Sequence, residues 1–300
     1  MTGLEHLTLL GVSPPDLVTV AASAGFDSVG LRISPATDGE RPWPVSPGSP
    51  MLAETIRRCA DTGIRVLDAE AVRLGALPSD YGPVLEAAAA LGARYVNAIC
   101  DDPDLGRLSD SFGALTAAAA PFGIRAVVEF MAYRSVRTLA EAVAIAGRSG
   151  GGGVLVDALH VQRCGVSLGA LRAVDPALIS YVQLCDAPLA APGAASGAGA
   201  GAASADAVHE ARAARLLPGE GELPLRELLT ALPDGIPVAV EAPGSGVAGR
   251  SPAEFAVRAR RAVDSVLCRS TSSAESPVQP PVQAQSQAQA QVQSQAKERR

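Results

Sequence analysis

The feature that most constrains this chain is a repeated alternation of apolar, β-branched runs with segments of helical composition. The apolar runs recur eight times, at residues 6–12, 28–33, 64–72, 94–99, 125–131, 153–159, 179–185 and 236–242. Continuous apolar strands that alternate with helices are typical of a parallel sheet covered by helices. The count of eight predicts closure of that sheet into a (βα)8 barrel, an α/β fold.

Length and composition predict one barrel domain followed by a tail. A (βα)8 barrel uses about 250 residues, and the chain has 300. From residue 269 onward the sequence is a near-repeat of Ser, Gln, Ala and Val without large apolar residues. Such a segment cannot bury a core. We therefore expect the barrel to span residues 1–268 and residues 269–300 to be disordered.

Charge and cysteine usage narrow the classes of partner. The formal net charge of -6 argues against a general nucleic-acid binder, which normally carries a basic stripe. No apolar run approaches the roughly 20 residues of a membrane span, and the N-terminus lacks a basic region followed by an apolar one. The five cysteines form no CxxC pair, which fits reduced thiols. We expect a soluble cytoplasmic protein with small-molecule partners and no nucleic-acid or membrane partner.

Two long connections follow predicted strands and should lie on the active-site face of a barrel. Residues 34–50 carry Trp43, the single tryptophan, and form either a lid or an irregular loop with the indole packed on the rim. Residues 187–215 contain a low-complexity run at 193–204 that should be mobile, followed by a helical pattern from 205. His6, at the start of the first predicted strand, is expected at the opposite end of the barrel in a structural role.

Polar side chains end four consecutive apolar runs, the predicted strands five to eight: Glu129, Asp157, Gln183 and Glu241. Asp157 by itself is best explained as a helix cap. Because residues two apart share a face of a strand, the four side chains converge if that face points inward. Three crowded carboxylates repel one another unless a cation neutralises them. The pattern thus predicts a divalent metal, Mn²⁺ or Mg²⁺ first because the ligands are oxygens, with Zn²⁺ or Co²⁺ as alternatives.

The motifs VVEF, VDALH, VQLCDA, RLLPGEGELP and VAVEAP resemble those of the xylose isomerase-like TIM barrels. This sugar phosphate isomerase/epimerase superfamily includes inosose dehydratases, hydroxypyruvate isomerases and ketose 3-epimerases. The resemblance covers roughly residues 5–268. Its most specific pieces are Asp-x-x-His on strand six and Arg-x-x-Pro-Gly-Glu-Gly after strand seven.

The resemblance implies a metal held by Glu129, Asp157, Gln183 and Glu241. At the third position the family often has His-x-x-Asp, whereas this chain has an amide, a weaker ligand than imidazole. The implied chemistry is proton transfer next to a carbonyl, through an enediolate that the metal stabilises. Glu129 and Glu241 would pass the proton as base and acid.

Further residues are implied, or placed by strand position, as contacts of a polyhydroxy carbonyl substrate. The resemblance implies such a role for Asp186 and Arg215, and His160 is expected to orient a ligand or substrate unless it is purely structural. Glu70 and Arg32 follow predicted strands three and two, where they are either substrate contacts or salt-bridged rim residues.

Three functions remain open from the sequence. The first is a metal-dependent isomerase or epimerase of a sugar, sugar phosphate or related hydroxy-ketone. The second is a dehydratase of a cyclic polyol ketone, such as an inosose, that uses the same site. The third is a barrel that binds a sugar-like ligand without turning it over. A nuclease with a histidine-rich trinuclear zinc site is excluded, because the chain has three histidines.

Overall fold

The predicted barrel is confirmed. The computed structural model describes residues 1–75, 80–192, 200–244, 246 and 249–271. Eight parallel strands close in sequence order, and β1 pairs with both β2 and β8. The strands are β1 (Thr2–Leu4), β2 (Ser28–Arg32), β3 (Arg65–Leu74), β4 (Tyr95–Cys100), β5 (Arg125–Glu129), β6 (Gly153–Asp157), β7 (Ile179–Leu184) and β8 (Val238–Val240).

Helices fill the connections between the strands. Ser13 and Ser49 each accept a backbone N–H at a helix start that carries Pro in its first turn, and Gly25 and Gly63 end the same two helices. The helices are α1 (Pro14–Ala24), α2 (Pro50–Thr62), α3 (Gly82–Ala90), α4 (Leu105–Ala119), α5 (Leu139–Arg148), α6 (Ala158–Arg163), α7 (Leu168–Arg172), α8 (Ala200–Ala213), α9 (Leu225–Thr230) and α10 (Pro252–Thr271), with 3-10 turns at His6–Leu9 and Ala120–Phe122.

The interior of the barrel is filled by one side chain from each of six strands, which form one buried cluster: Leu67, Tyr95, Val127, Leu155, Tyr181 and Ala239. Side chains two positions further along a strand point to the same side. Those positions on the last four strands are Glu129, Asp157, Gln183 and Glu241, and all four are buried. The quartet therefore shares the strand face of the buried cluster and lies at the carboxyl ends of the strands.

The prediction for the first strand was wrong. The strand is Thr2–Leu4, and the apolar run from His6 forms a 3-10 turn after it. The parallel pairing with both neighbouring strands stops at Leu4, and the following Glu5 N–H donates to the carbonyl of Val240. His6 consequently lies beyond the carboxyl end of the strand, on the same face as the quartet, and not at the opposite end.

His6 is buried and held as a neutral ring. Its Nδ1 accepts the Arg32 backbone N–H at 3.0 Å, so the proton sits on Nε2, which donates to the Val12 carbonyl at 2.8 Å. Protonation of Nδ1 would place two donors against each other. Burial, together with the Arg32 charge, lowers the pKa of His6 to about 4 even though the Val12 hydrogen bond opposes that shift.

This lowered pKa predicts an acid-sensitive contribution to stability. Between pH 6.5 and 4 the unfolded chain binds a proton at His6 and the folded protein does not. The contribution is complete above pH 6.5 and falls as pH drops toward 4, by roughly 3 kcal/mol in all. Urea unfolding of wild type and His6→Gln between pH 7.5 and 4.5 should show the stability advantage of wild type shrinking with acidity. His209→Gln, at an exposed position, serves as the control, and parallel curves for His6→Gln and wild type would contradict the prediction.

The two long connections have definite structure near the barrel mouth. Trp43 stacks on His6 with 6.4 Å between ring centroids and donates to the Leu10 carbonyl at 3.3 Å, so it is packed on the rim. In the second connection, residues 193–199 lie outside the described residues. Helix α8 begins at Ala200, five residues before the predicted helical pattern, because the Ala-rich end of the low-complexity run suits a helix.

The barrel forms one compact unit, Met1–Val266, and the residues from Leu267 onward form a second. The last helix reaches Thr271, slightly past the predicted boundary at residue 269. The expected disordered tail otherwise lies outside the described residues. Among the described helices, none combines the length and apolarity required to cross a bilayer.

Candidate active site

A cavity opens at the carboxyl ends of the strands. Six of the nine residues predicted to form the site line it: Arg32, Glu70, Glu129, His160, Arg215 and Glu241. Asp157 and Gln183 are fully buried beside it. Asp186 is also buried, but among the described residues it is not part of the cavity wall.

Asp157 uses its two carboxylate oxygens for different partners. Oδ1 accepts the backbone N–H groups of Leu159 and His160, at 2.7 and 3.2 Å, and so caps helix α6. Oδ2 accepts Nη1 of Arg215 at 2.5 Å. Burial alone would raise the pKa of Asp157, but Arg215 and the other donors outweigh it and the pKa lies below its ordinary value. Asp157 therefore caps helix α6 with one carboxylate oxygen and contacts Arg215 in the site with the other.

Arg215 places a buried positive charge between two of the predicted ligands. Besides its contact with Asp157, its Nη2 lies 3.1 Å from Oε2 of Glu241, and Nη1 also donates to the Glu241 carbonyl at 3.2 Å. Its Nε donates to the Ala211 carbonyl at 2.7 Å. Although burial disfavours a charged guanidinium, the neighbouring carboxylates hold the pKa of Arg215 above its ordinary value. The guanidinium is thus a fixed cation in the site.

Glu129 and His160 form the opposite side of the site. His160 Nε2 and Glu129 Oε1 are 3.6 Å apart, and Tyr133 presents its ring edge-on to His160 with centroids 5.6 Å apart. Burial lowers the pKa of His160 to about 4, so the imidazole is neutral near pH 7. Burial, and then the charges of Asp157 and Glu241, raise the pKa of Glu129 well above its ordinary value. Near pH 7 a neutral imidazole therefore faces a carboxyl group that holds its proton more tightly than an exposed one.

Glu241 is the second acid with a raised pKa. Burial and the neighbouring carboxylates Glu70 and Asp157 raise its pKa to about 8, although Arg215 opposes the shift. A carboxyl group that titrates near neutral pH can take and return a proton efficiently. Glu241 is therefore suited to acid–base chemistry on a ligand in the cavity, and Glu129, whose pKa is also raised, lines the same cavity.

The rim of the cavity is tied together by charge pairs. Arg32 Nη2 lies 2.7 Å from Glu70 Oε2, so these two predicted residues are salt-bridged to each other. Glu40, which the sequence reasoning missed, pairs with Arg32 on one side and with Arg212 of α8 on the other, both at 3.2 Å. Glu40 thereby joins the two long connections over the mouth of the site.

Comparison with known proteins identifies the family. The family model described as "Xylose isomerase-like TIM barrel" matches residues 18–263. The chain belongs to this family. Comparison of the sequence with curated proteins finds no match.

Solved structures of the xylose isomerase-like barrels resemble the whole domain. A xylose isomerase-like TIM barrel/4-hydroxyphenylpyruvate dioxygenase fusion protein is 20% identical, with a TM-score of 0.70, over 94% of this chain and 45% of that one. This chain thus spans less than half of the fusion protein. The IolI protein with a zinc atom bound is 16% identical (TM-score 0.64, 92% and 99% covered). A D-psicose 3-epimerase from Clostridium cellulolyticum, solved with D-tagatose, is 14% identical (TM-score 0.65, 89% and 98% covered). At these identities the likeness shows the fold.

Gln183 stands at the third ligand position that the resemblance implies. It lies beside Asp157 in the strand register and is 0% exposed. Neither its amide oxygen nor its amide nitrogen has a hydrogen-bond partner among the described residues. A buried amide without partners is costly. The side chain is therefore consistent with a partner, such as a cation or ligand, that binds in the site.

The donor set fits a divalent cation. One ligand atom from each of Glu129, Asp157 and His160 lies within 4.8 Å of the others, and the unpaired Gln183 amide adds an oxygen beside them. His160, which the sequence analysis assigned to ligand or substrate orientation, thus lies among the potential ligands. Glu241, the fourth predicted ligand, is occupied by Arg215. Metal binding by the four predicted ligands together stays a prediction. Arg215 contacts two of them, Asp157 and Glu241.

The Arg-x-x-Pro-Gly-Glu-Gly motif, residues 215–221, forms the loop that begins with Arg215. Asp186 accepts the backbone N–H groups of Ala187, Gly219 and Leu223, each at 2.9 Å. At Gly221 a Cβ atom would lie 2.5 Å from Asp186 Oδ1 and 2.7 Å from the Ala187 carbonyl oxygen, so only glycine fits. In this structure Asp186 therefore anchors the Pro-Gly-Glu-Gly loop, and its predicted contact with substrate stays a prediction.

A second acidic cluster joins the predicted Glu70 to two buried residues, Glu5 and Asp68, that the sequence analysis did not assign to the site. Glu5, Asp68 and Glu70 each offer a ligand atom within 4.8 Å of the others. Burial raises the pKa of Asp68 to about 7 and that of Glu5 well above its ordinary value. Space for them exists because β2 has Gly30, where a Cβ would lie 1.6 Å from Glu5 Oε2. Glu5 could have been found only by ending the first strand at Leu4.

Proposed function

We propose that the protein is an isomerase or epimerase of a sugar, a sugar phosphate or a related hydroxy-ketone, acting by proton transfer through an enediolate. The observation that carries this proposal is the pair of buried carboxyl groups, Glu129 and Glu241, which line one cavity and both have raised pKa values. One such group can remove a proton from a carbon next to a carbonyl, and the other can deliver a proton to the opposite face of the enediolate.

The names of structural relatives support this choice of substrate class. One relative is a D-psicose 3-epimerase solved with D-tagatose, and another is an L-ribulose 3-epimerase. Both bear names of enzymes that invert a carbon next to a ketone. The cavity of this chain has the polar lining that a polyhydroxy carbonyl compound requires.

The remaining polar groups would position the substrate. Arg215 and Arg32 present guanidinium groups that can bind hydroxyl, carbonyl or phosphate oxygens. His160 is neutral and can donate a proton to a substrate oxygen or accept one from it. Glu70 holds Arg32 and can accept a substrate hydroxyl. Tyr133 and Met131 add largely apolar side chains to the cavity wall, which would help to exclude water from a bound substrate.

The proposed cofactor is a divalent metal, Mn²⁺ or Mg²⁺ first, held by Glu129, Asp157, Gln183 and Glu241, with His160 beside them. Such an ion supplies Lewis-acid polarisation of carbonyl and hydroxyl oxygens. The zinc atom in the IolI structure supports a metal in a barrel of this family. The oxygen ligands of the present chain favour harder ions than zinc.

The test is a screen of ketoses, their phosphates and inososes with the full chain in Mn²⁺ and D₂O. An isomerase or epimerase should place one deuterium on the carbon next to the carbonyl and yield an isomer that has lost no water. Loss of water without an isomer would identify the dehydratase alternative, which uses the same enolate. Saturable binding of a sugar without deuterium uptake or product would instead identify a non-catalytic barrel and contradict the proposal.

A further inference from the structure

Arg215 places a positive charge of the protein directly against two of the proposed metal ligands. Asp157 has a single oxygen free of backbone N–H groups, and that oxygen, Oδ2, is taken by Arg215 Nη1 at 2.5 Å. The same guanidinium reaches Glu241 Oε2 with Nη2, at 3.1 Å. Two of the carboxylates that a divalent ion would need are thus already paired.

The position of Arg215 is built into the surrounding backbone. Its N–H donates to the Pro243 carbonyl at 2.9 Å, and its Nε donates to the Ala211 carbonyl at 2.7 Å. Gly244 gives the Arg215 carbonyl room, because a Cβ at that position would lie 2.2 Å from the oxygen. Arg215 itself is only 4% exposed. These contacts hold the Arg215 backbone and side chain in place, so the guanidinium has a defined position inside the site.

Gln183 is neutral, which favours the guanidinium over a divalent ion at the two carboxylates. The Gln183 amide offers a divalent ion a ligand atom but no negative charge, and it has no partner among the described residues. A divalent ion bound to Asp157 Oδ2 and Glu241 would lie within a few ångströms of the guanidinium. Like charges at that separation in a buried site repel strongly. A divalent ion and the Arg215 guanidinium therefore oppose each other's binding to Asp157 and Glu241.

We propose that Arg215 is an internal competitor for the metal: the guanidinium and a divalent ion exclude each other at Asp157 and Glu241. This inference rests on the proposed function for its metal, and it adds a means by which the chain itself sets the metal affinity. An ion can bind fully only when the guanidinium withdraws from the two carboxylates. The affinity of the substrate-free protein for a divalent ion is accordingly lower than the same ligands would give without Arg215.

The test measures binding of Mn²⁺ alone, without substrate, by titration calorimetry and by electron paramagnetic resonance of the free ion. Arg215→Met removes the guanidinium and should raise the affinity about tenfold or more, which is a typical size for coupling between two sites. Arg215→Lys keeps a charge that can reach one carboxylate at a time and should give a smaller gain. Arg212→Met is the matched control, since it removes a charge from the mouth that pairs with Glu40 and with neither Asp157 nor Glu241 among the described contacts, and its effect should be much smaller.

The outcomes separate this inference from the proposed function. Equal or weaker Mn²⁺ binding by Arg215→Met, or no binding by any variant, would overturn the competition. If Arg215→Met does not fold, Arg215→Lys decides by the same criterion, with thermal unfolding as the check of integrity. Tighter binding without turnover of any ketose would support the competition and reject the function. Turnover of a ketose by the wild type, with the same Mn²⁺ affinity in wild type and Arg215→Met, would support the function and reject the competition.

Discussion

Replacing Glu129 or Glu241 with Gln is expected to lower net turnover by a factor of about 10²–10⁴, the usual contribution of a positioned acid or base. Gln has nearly the same shape but cannot carry the proton. Both side chains line the cavity and are almost fully buried, at 6% and 5% exposure. Initial rates on the substrate found in the screen would measure the loss, with Glu86→Gln, on the exposed side of α3, as control.

A second readout tests whether the two carboxyl groups act on the two faces of the substrate. If they do, each single variant should lose net epimerisation while the remaining group still exchanges deuterium into one of the two epimers. Glu129→Gln should also fold at least as stably as wild type, because it removes a buried carboxyl group beside two others. Undiminished turnover in both variants would show that neither group carries the proton.

Replacing Asp157 with Ala is expected to cost about 3–5 kcal/mol of folding free energy, the usual cost of breaking a buried ion pair. The substitution leaves the buried Arg215 with Glu241 as its remaining carboxylate and also removes the cap of α6. Asp157→Asn should cost less, since its amide oxygen can still accept the N–H groups of Leu159 and His160. Urea unfolding at pH 7 would measure both losses, with the exposed pair residue Asp61→Ala as control at no more than about 1 kcal/mol.

Two additional observations make the Asp157 experiment decisive. The double variant with Asp157→Ala and Arg215→Met should be more stable than the sum of the single losses predicts, because both partners of the Asp157–Arg215 pair are removed together. The metal content of purified Asp157→Ala should fall relative to wild type, because one proposed ligand is gone. A loss below about 1 kcal/mol would show that the Asp157–Arg215 pair adds little to stability.

Much of the candidate site was predictable because strands impose a simple geometry. Side chains two apart on a strand share a face, and parallel strands of a barrel end at the same edge. This rule placed Glu129, Asp157, Gln183 and Glu241 on one inner layer, above the buried cluster that fills the barrel. The rule needs no knowledge of contacts, so it worked from sequence periodicity alone.

The errors arose where an apolar run has two possible structures. The run from His6 reads as a strand by composition, but it is a 3-10 turn. Its true structure depends on where the hydrogen bonds of β1 to β2 and β8 end, which is a property of three segments far apart in the chain. Misplacing this strand hid Glu5 and put His6 at the wrong end of the barrel.

The sequence by itself determined the barrel, its order of strands and the edge at which the polar residues gather, because hydrophobic periodicity is a local property of the chain. The tertiary structure alone decided how the charges pair. Arg215 lies 58 residues from Asp157 along the chain, yet it takes the oxygen that a metal would use. Spacing predicts which groups meet, but the partner of each carboxylate depends on distances of a few ångströms between separate loops, over which electrostatic energies change steeply.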